Sequence, residues 1–237
     1  MELFPLGESA IIVEFGKGIH LDIHRKVKRL TEYLDRYPFV GMIECVPAFS
    51  SVTVFYNPVK VKQENKEKGN RTSFEMVSSM LNQMALNIEE SANQKPRTVE
   101  IPVCYGGDFG PDLEFVAEHN KLTLSDVIEI HSSREYLVYM IGFAPGFPYL
   151  GGMSERISAP RRSSPRMKIP GGSVGIAGTQ TGIYPISTPG GWQLIGRTPL
   201  DLFCPDESPP SLLQSGDLIR FQPISRKEFD EYRGGSW

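Results

Sequence analysis

Residues 160–199, PRRSSPRMKIPGGSVGIAGTQTGIYPISTPGGWQLIGRTP, decide the fold. Prolines and paired glycines recur there too irregularly for any helical face to form, so the stretch predicts short strands joined by tight turns. Twelve of the chain's 23 glycines fall between Gly142 and Gly196, which means that the backbone repeatedly needs positive φ or the close approach of another group. Arg161, Arg162, Arg166 and Arg197 lie in this same segment. Just upstream, residues 142–152 read GFAPGFPYLGG and place Phe143, Phe147 and Tyr149 on turns, where aromatic rings can line a concave surface. The two runs together are the candidate site.

Working outward, further short strands are expected at Tyr136–Ile141, Val174–Ala177, Gly182–Ile186, Trp192–Gly196, Leu200–Phe203 and Leu218–Phe221. Many short strands with Gly and Pro at the joints read as a β-barrel or sandwich. Two short helices precede them, near Asp112–His119 and Leu124–Ser132, the second opened by Thr123 and Asp126 at capping-box spacing. The first 90 residues have a different texture. A strand at residues 9–15 is followed by a helix over Leu21–Tyr37, with Ile23, Val27, Leu30 and Leu34 on one face and Pro38 closing it. A hairpin over Met42–Val46 and Val52–Tyr56 comes next, then a charged segment at residues 59–72 read as a solvated loop, then a helix over Ser73–Glu90. The polar run at residues 91–97 is the expected boundary. The domains are therefore read as 1–95, a small α+β unit, and 96–237, a barrel carrying the site.

The net charge of −3 is spread without blocks and gives no electrostatic footprint for nucleic acid or an anionic membrane. No apolar run is long enough for membrane insertion and the N-terminus lacks the pattern of a secretory signal, so a cytoplasmic location is expected. Cys45, Cys104 and Cys204 are widely spaced and odd in number, which fits reduced thiols better than disulfides or a zinc site.

Short motifs are weaker guides. Gly171–Gly175 satisfies G-x-S-x-G around Ser173, yet a nucleophile elbow needs a helix straight afterwards and a histidine later in the chain. Here strand and turn follow, and all four histidines precede Ser173. His20 and His24 stand four apart on a helix start and read as solvated surface, with no third ligand for a metal in sight. His131, at a helix end just before the strand that delivers the aromatic run, is open between a structural histidine and a proton carrier. Arg161 and Arg166 sit among prolines that stiffen the loop, so a guanidinium fork there loses little entropy on binding a carboxylate or phosphate. Gln180, Tyr184 and Trp192 offer an amide, a hydroxyl and a stacking face.

Three stretches carry a family resemblance: HSSREYLVYMIGFAPGFPYLGG, APRRSSPRMKIPGGSVGIAGTQTGIYPISTPGGWQLIGRTP and the late SGDLIRFQPI. In them the chain resembles the B subunit of bacterial 5-oxoprolinase, also called allophanate hydrolase subunit 1 or the KipI family, over essentially its whole length. The resemblance implies an α+β fold class, with a small N-terminal α/β-sandwich domain followed by a cyclophilin-like β-barrel. It also implies work with partner subunits C and A, using ATP as co-substrate, with or without magnesium and with no bound prosthetic group, to open 5-oxoproline to glutamate. On that reading His131, Arg161, Arg166 and Arg197 are the catalytic candidates, and Phe143, Phe147, Tyr149, Ser173, Gln180, Tyr184, Trp192 and Thr198 the substrate-binding ones. Some relatives of the KipI type block a sensor histidine kinase instead, and the aromatic run would suit an apolar helix face. Prolyl isomerase activity does not follow from the fold alone.

Overall fold

A computed structural model describes residues 1–18, 20–65, 70–87 and 96–234. Two compact units are present, Met1–Lys95 and Pro96–Trp237. In the first, β1 (Glu2–Pro5), β2 (Ala10–Glu14), β3 (Met42–Pro47) and β4 (Ser51–Tyr56) form an antiparallel sheet in the order β1-β2-β4-β3. Its inward residues Ile11, Val13, Val52, Val54 and Tyr56 pack against Val27, Leu30 and Leu34 of α1 (Leu21–Arg36) and Met76, Val77 and Leu81 of α3 (Ser73–Asn87). Helical spacing on one side and strand alternation on the other fix which residues meet. The result is a small α/β sandwich.

Three sequence readings change in this unit. Residues Pro58–Glu64 of the supposed loop are a helix, α2, because Asn57 Oδ1 accepts the Val59 and Lys60 amides, Pro58 preorganises the first turn and Val61 anchors it in the core. One buried apolar residue, Val61, in two turns is too weak a period to see. Strand β1 also went unread. His24 is not solvated surface: it is 2% exposed, and burial, aided by Lys28, lowers its pKa to about 4. The last three residues of the helix read as Ser73–Glu90, and residues 91–95 of the expected boundary, lie outside the described residues.

The second unit is built on a closed barrel of seven strands in the order β10-β7-β6-β13-β5-β12-β9, closing where β9 pairs with β10. These are β5 (Thr98–Tyr105), β6 (Glu135–Ile141), β7 (Pro148–Gly151), β9 (Ser173–Ala177), β10 (Gln180–Ile183), β12 (Gln193–Arg197) and β13 (Leu218–Pro223). All pairings are antiparallel except β13 with β5. Closure leaves the sheet no free edges. Ile101, Val103, Val138, Val174, Ile176, Ile183, Ile195 and Phe221 belong to its core, together with Leu113 and Val116 of α4 (Leu113–Asn120) and Val127 of α5 (Leu124–Ser132). The capping box expected at Thr123 and Asp126 is formed. A separate ribbon, β8 (Arg166–Ile169) with β11 (Thr188–Gly190), stands apart from the barrel sheet.

Leu200–Phe203 is not a strand but a turn with a single bridge, Phe203 to Ser211. Strand β10 ends at Ile183 rather than Ile186, where Pro185 removes a ladder donor. A terminal helix, α6 (Arg226–Gly234), was not read from the sequence. None of the described helices is long and apolar enough to cross a membrane.

Candidate functional site

Alternation along β10 separates two environments. Thr181 and Ile183 point into the barrel, whereas Gln180 and Gly182 face outward. Outside, a second apolar cluster of Phe147, Ile169, Ala177, Tyr184, Trp192 and Leu194 is supported by the missing side chains of Gly175 and Gly182: a Cβ at Gly182 would stand 3.1 Å from both Phe147 and Trp192. The rings meet edge to face, with Phe147 centroids 5.6 Å from Tyr184, 5.8 Å from Trp192, 5.2 Å from Tyr149 and 5.4 Å from Phe143. Phe143 ends this row at the surface, 66% exposed and at φ 67°. A bulky residue in the left-handed region is strained, and strained residues cluster at active sites, ligand clamps and switch regions.

The loop at residues 160–166 is pinned beside this cluster. Gln193 Nε2 donates to the Pro160 carbonyl at 2.9 Å, and the Arg162 amide donates to Gly191 O at 2.7 Å. Asp112, the residue that leads into α4, completes the clamp. Its Oδ2 accepts the Leu194 amide at 2.7 Å, and its Oδ1 accepts both Arg162 Nη1 at 3.0 Å and Arg166 Nη2 at 2.8 Å. One carboxylate thus holds two guanidiniums, leaving a net charge of +1. Arg162 Nε and Arg166 Nη1 are buried with no hydrogen-bond partner among the described residues. Burial raises the pKa of the Tyr184 hydroxyl, while a backbone bond from Trp192 and the nearby charges of Arg161 and Arg166 pull it the other way.

The structure therefore gathers Arg161, Arg166, Phe143, Phe147, Tyr149, Tyr184 and Trp192 on one outer face of the barrel, with Gln180 on the same side of its strand. Four other candidates fall elsewhere. Arg197 lies at the far end of β12, about 13 Å along the strand from Gln193. There its Nε donates to Gly171 O at 2.8 Å and its guanidinium sits 5.8 Å above the Phe109 ring. Ser173 is buried on a strand with no helix after it, so the elbow geometry is absent. Thr198 is fully buried, and its Oγ1 accepts the Leu200 amide.

His131 corrects the proton-carrier reading. It has no solvent exposure, and burial lowers its pKa to about 3, so it stays neutral. Thr181 Oγ1 donates to Gly175 O at 3.1 Å, leaving that oxygen to accept His131 Nε2–H at 2.9 Å, while Nδ1 accepts the Tyr105 hydroxyl at 2.8 Å. Every donor in this chain is matched, and it runs on the inner side of β10. An imidazole so enclosed is a core residue.

Asp112 and Arg162 are the residues that the sequence reading missed. A Pro-Asp pair before an apolar-periodic run reads as a helix start, and nothing local shows that its carboxylate serves a loop far downstream. Arg162 was visible within the arginine run but had no feature to set it apart. Among the described residues, no three His, Cys, Asp or Glu side chains group as a metal site would require.

The sequence matches the family described as the carboxyltransferase domain, subdomains C and D, over residues 1–213. It is 54% identical over 232 residues to the 5-oxoprolinase B subunit of Bacillus subtilis, covering 98% of this chain and 96% of that one. The corresponding protein of Escherichia coli O157:H7 is 42% identical, covering 93% of this chain and 94% of its own length. Among solved structures, a conserved uncharacterized protein from Pyrococcus horikoshii is 47% identical and superposes with a TM-score of 0.56, covering 96% of this chain and all of the other.

Proposed function

The chain belongs to the carboxyltransferase subdomain C and D family and, within it, to the family of 5-oxoprolinase B subunits, and from that premise we propose that it acts as the B subunit of an ATP-dependent 5-oxoprolinase. In this reading it opens 5-oxoproline to L-glutamate together with subunits A and C and is inactive alone. The observation that carries it is the match to a relative of that name from end to end, at 54% identity over 98% of this chain and 96% of the other.

The site chemistry fits the reaction. An unstrained lactam resists water, so phosphoryl transfer from ATP to its carbonyl oxygen would activate the ring carbon; water adds there, the C–N bond breaks with the nitrogen leaving as the amine, and a second water hydrolyses the resulting acyl phosphate to the carboxylate and free phosphate. Both the substrate carboxylate and the transferred phosphoryl group need positive charge and hydrogen-bond donors, and Arg166 supplies them to the first and Arg161 to the second. Tyr184 and Gln180 orient the ring, and Phe143, Phe147 and Tyr149 give it an apolar wall. Arg197, whose Nε donates to Gly171 O, is given no role in this reading.

The test is ATP-dependent glutamate release from 5-oxoproline by purified candidate subunits A and C of the same genome, with and without this chain. Release that proceeds equally well without it would sink the reading. A KipI-type role, docking on the dimerisation helices of a sensor histidine kinase, draws on one observation, the exposed Phe143 ring at positive φ. If the three proteins do not associate, that second reading takes its place.

A further inference from the structure

We propose that Asp112, Arg162 and Arg166 form a carboxylate-binding subsite, with Arg162 and Arg166 contacting the ligand and Asp112 acting as the positioning residue. The inference rests on the functional reading above and assigns to that site the part of the substrate it recognises: the single carboxylate of a small cyclic amide.

Charge sets the ligand class. Two guanidiniums on one carboxylate oxygen leave a residual charge of +1 beside an apolar wall, where charge is less screened than in bulk water. A monoanion neutralises that residue, and Arg161, the third guanidinium acting on this face, is left over for the phosphoryl group. Hydrogen bonding agrees. Asp112 already accepts three donors, two from the arginines and one from the Leu194 amide, so it has little capacity left for Arg162 Nε and Arg166 Nη1. A buried donor on a charged group without a partner is costly, and such groups in native proteins mark places where a further acceptor, from ligand or water, is received. The side chains of Arg162 and Arg166 remain 36% and 23% exposed, so the cluster is reachable from outside while its inner face is fixed.

Position agrees as well. The arginines are anchored through Gly191 and Leu194, the residues that flank Trp192 and Gln193, so a carboxylate held there places the rest of a small ring against the Trp192 and Tyr184 cluster. Asp112 does not need to touch the ligand. By holding both guanidiniums through one oxygen, it removes most of the rotamer freedom they would otherwise lose on binding.

The test is steady-state kinetics of the assembled enzyme carrying Arg162→Ala or Asp112→Asn, with melting temperature followed in parallel. The expected result is a rise in KM for 5-oxoproline of about tenfold or more for either variant, with kcat within about threefold and KM for ATP unchanged. A merely structural cluster would lower melting temperature without this split, and that outcome overturns the proposal. So does a rise in KM for ATP alone, which would assign the arginines to phosphate. Should the wild-type assembly release no glutamate, the functional reading fails by itself, and the subsite is tested directly on the full chain with Trp237→Phe, leaving Trp192 as the fluorescent reporter. Saturable quenching by 5-oxoproline but not by 2-pyrrolidinone or inorganic phosphate, lost in Arg162→Ala, upholds it; equal responses to all three overturn it.

Discussion

Arg166 and Asp112 are 54 residues apart in the chain, and Arg166 Nη2 donates to Asp112 Oδ1 at 2.8 Å. The bond ties the entrance of α4 to the first residue of β8, and the same carboxylate reaches β12 through the Leu194 amide. Three segments that share no local sequence signal are thus fixed around the outer cluster. The ribbon of β8 and β11 is held in place by polar groups on one side and by Ile169 on the other.

Removing this carboxylate should cost stability. Asp112→Ala leaves two guanidiniums and the Leu194 amide without their acceptor, and breaking a buried pair typically costs about 3–5 kcal/mol. Partial exposure of both arginines reduces that here to about 2–3 kcal/mol, since water can solvate what the carboxylate no longer does. Urea unfolding of the variant beside the parent measures it. A loss under about 0.5 kcal/mol would mean that the clamp contributes nothing to the fold.

The barrel was legible in the sequence because its strands announce themselves: β6, β9, β12 and β13 are short apolar runs between Gly and Pro, and each falls within a few residues of the expected position. Helix α1 was legible for the same reason in another period. What stayed hidden depends on contacts rather than pattern. Helix α2 is made by a cap at Asn57, and the burial of His131 follows from its place on the inner side of β10. The site was half visible: the arginine and aromatic runs stood out, but Asp112 acts over a sequence distance that no periodicity carries. Arg197 belongs to the same arginine-rich stretch as Arg166, and only the structure shows it bonded to Gly171 O with its guanidinium over the Phe109 ring.

Gly190 is required by the outer cluster. A Cβ there would stand 2.4 Å from the Tyr184 hydroxyl and 2.7 Å from Ile169 Cδ1, so Gly190→Ala must displace the ring or open the ribbon. Overpacking of this kind costs about 1–3 kcal/mol. Because the displaced ring belongs to the proposed substrate wall, the near-ultraviolet circular dichroism should change together with the KM for 5-oxoproline. An unchanged spectrum at normal stability would contradict the packing described for Tyr184.

Phe143 should behave in the opposite sense. Its backbone sits at φ 67°, a conformation that glycine adopts freely, and its ring is mostly outside the core. Phe143→Gly is therefore expected to leave stability unchanged or raise it by up to about 1 kcal/mol. If the ring serves substrate or partner, glutamate release by the assembly or its association falls at the same time. A clear loss of stability with full activity would make the residue a packing element.

Acid should weaken the fold through two histidines. His131 and His24 have pKa values lowered from the ordinary 6.5 to about 3 and about 4, in both cases chiefly by burial. Above pH 6.5 neither state binds a proton at these rings, so they add no pH dependence. Below it the unfolded chain takes up protons that the folded chain refuses, and stability falls by up to about 1.4 kcal/mol per pH unit for each ring. The window runs from about 6.5 down to about 3 for His131 and to about 4 for His24. His131→Gln isolates one contribution. At pH 7.5 the variant should be less stable by about 2 kcal/mol, because the bonds to Tyr105 and Thr181 are no longer matched. At pH 5 the gap to the parent should shrink by about 2 kcal/mol, since the variant no longer opposes protonation. Urea midpoints at the two pH values check this, and glutamate release by the folded variant in the assembly should keep its pH profile. A constant gap between pH 7.5 and 5, or a profile that loses an inflection, would return His131 to the chemistry.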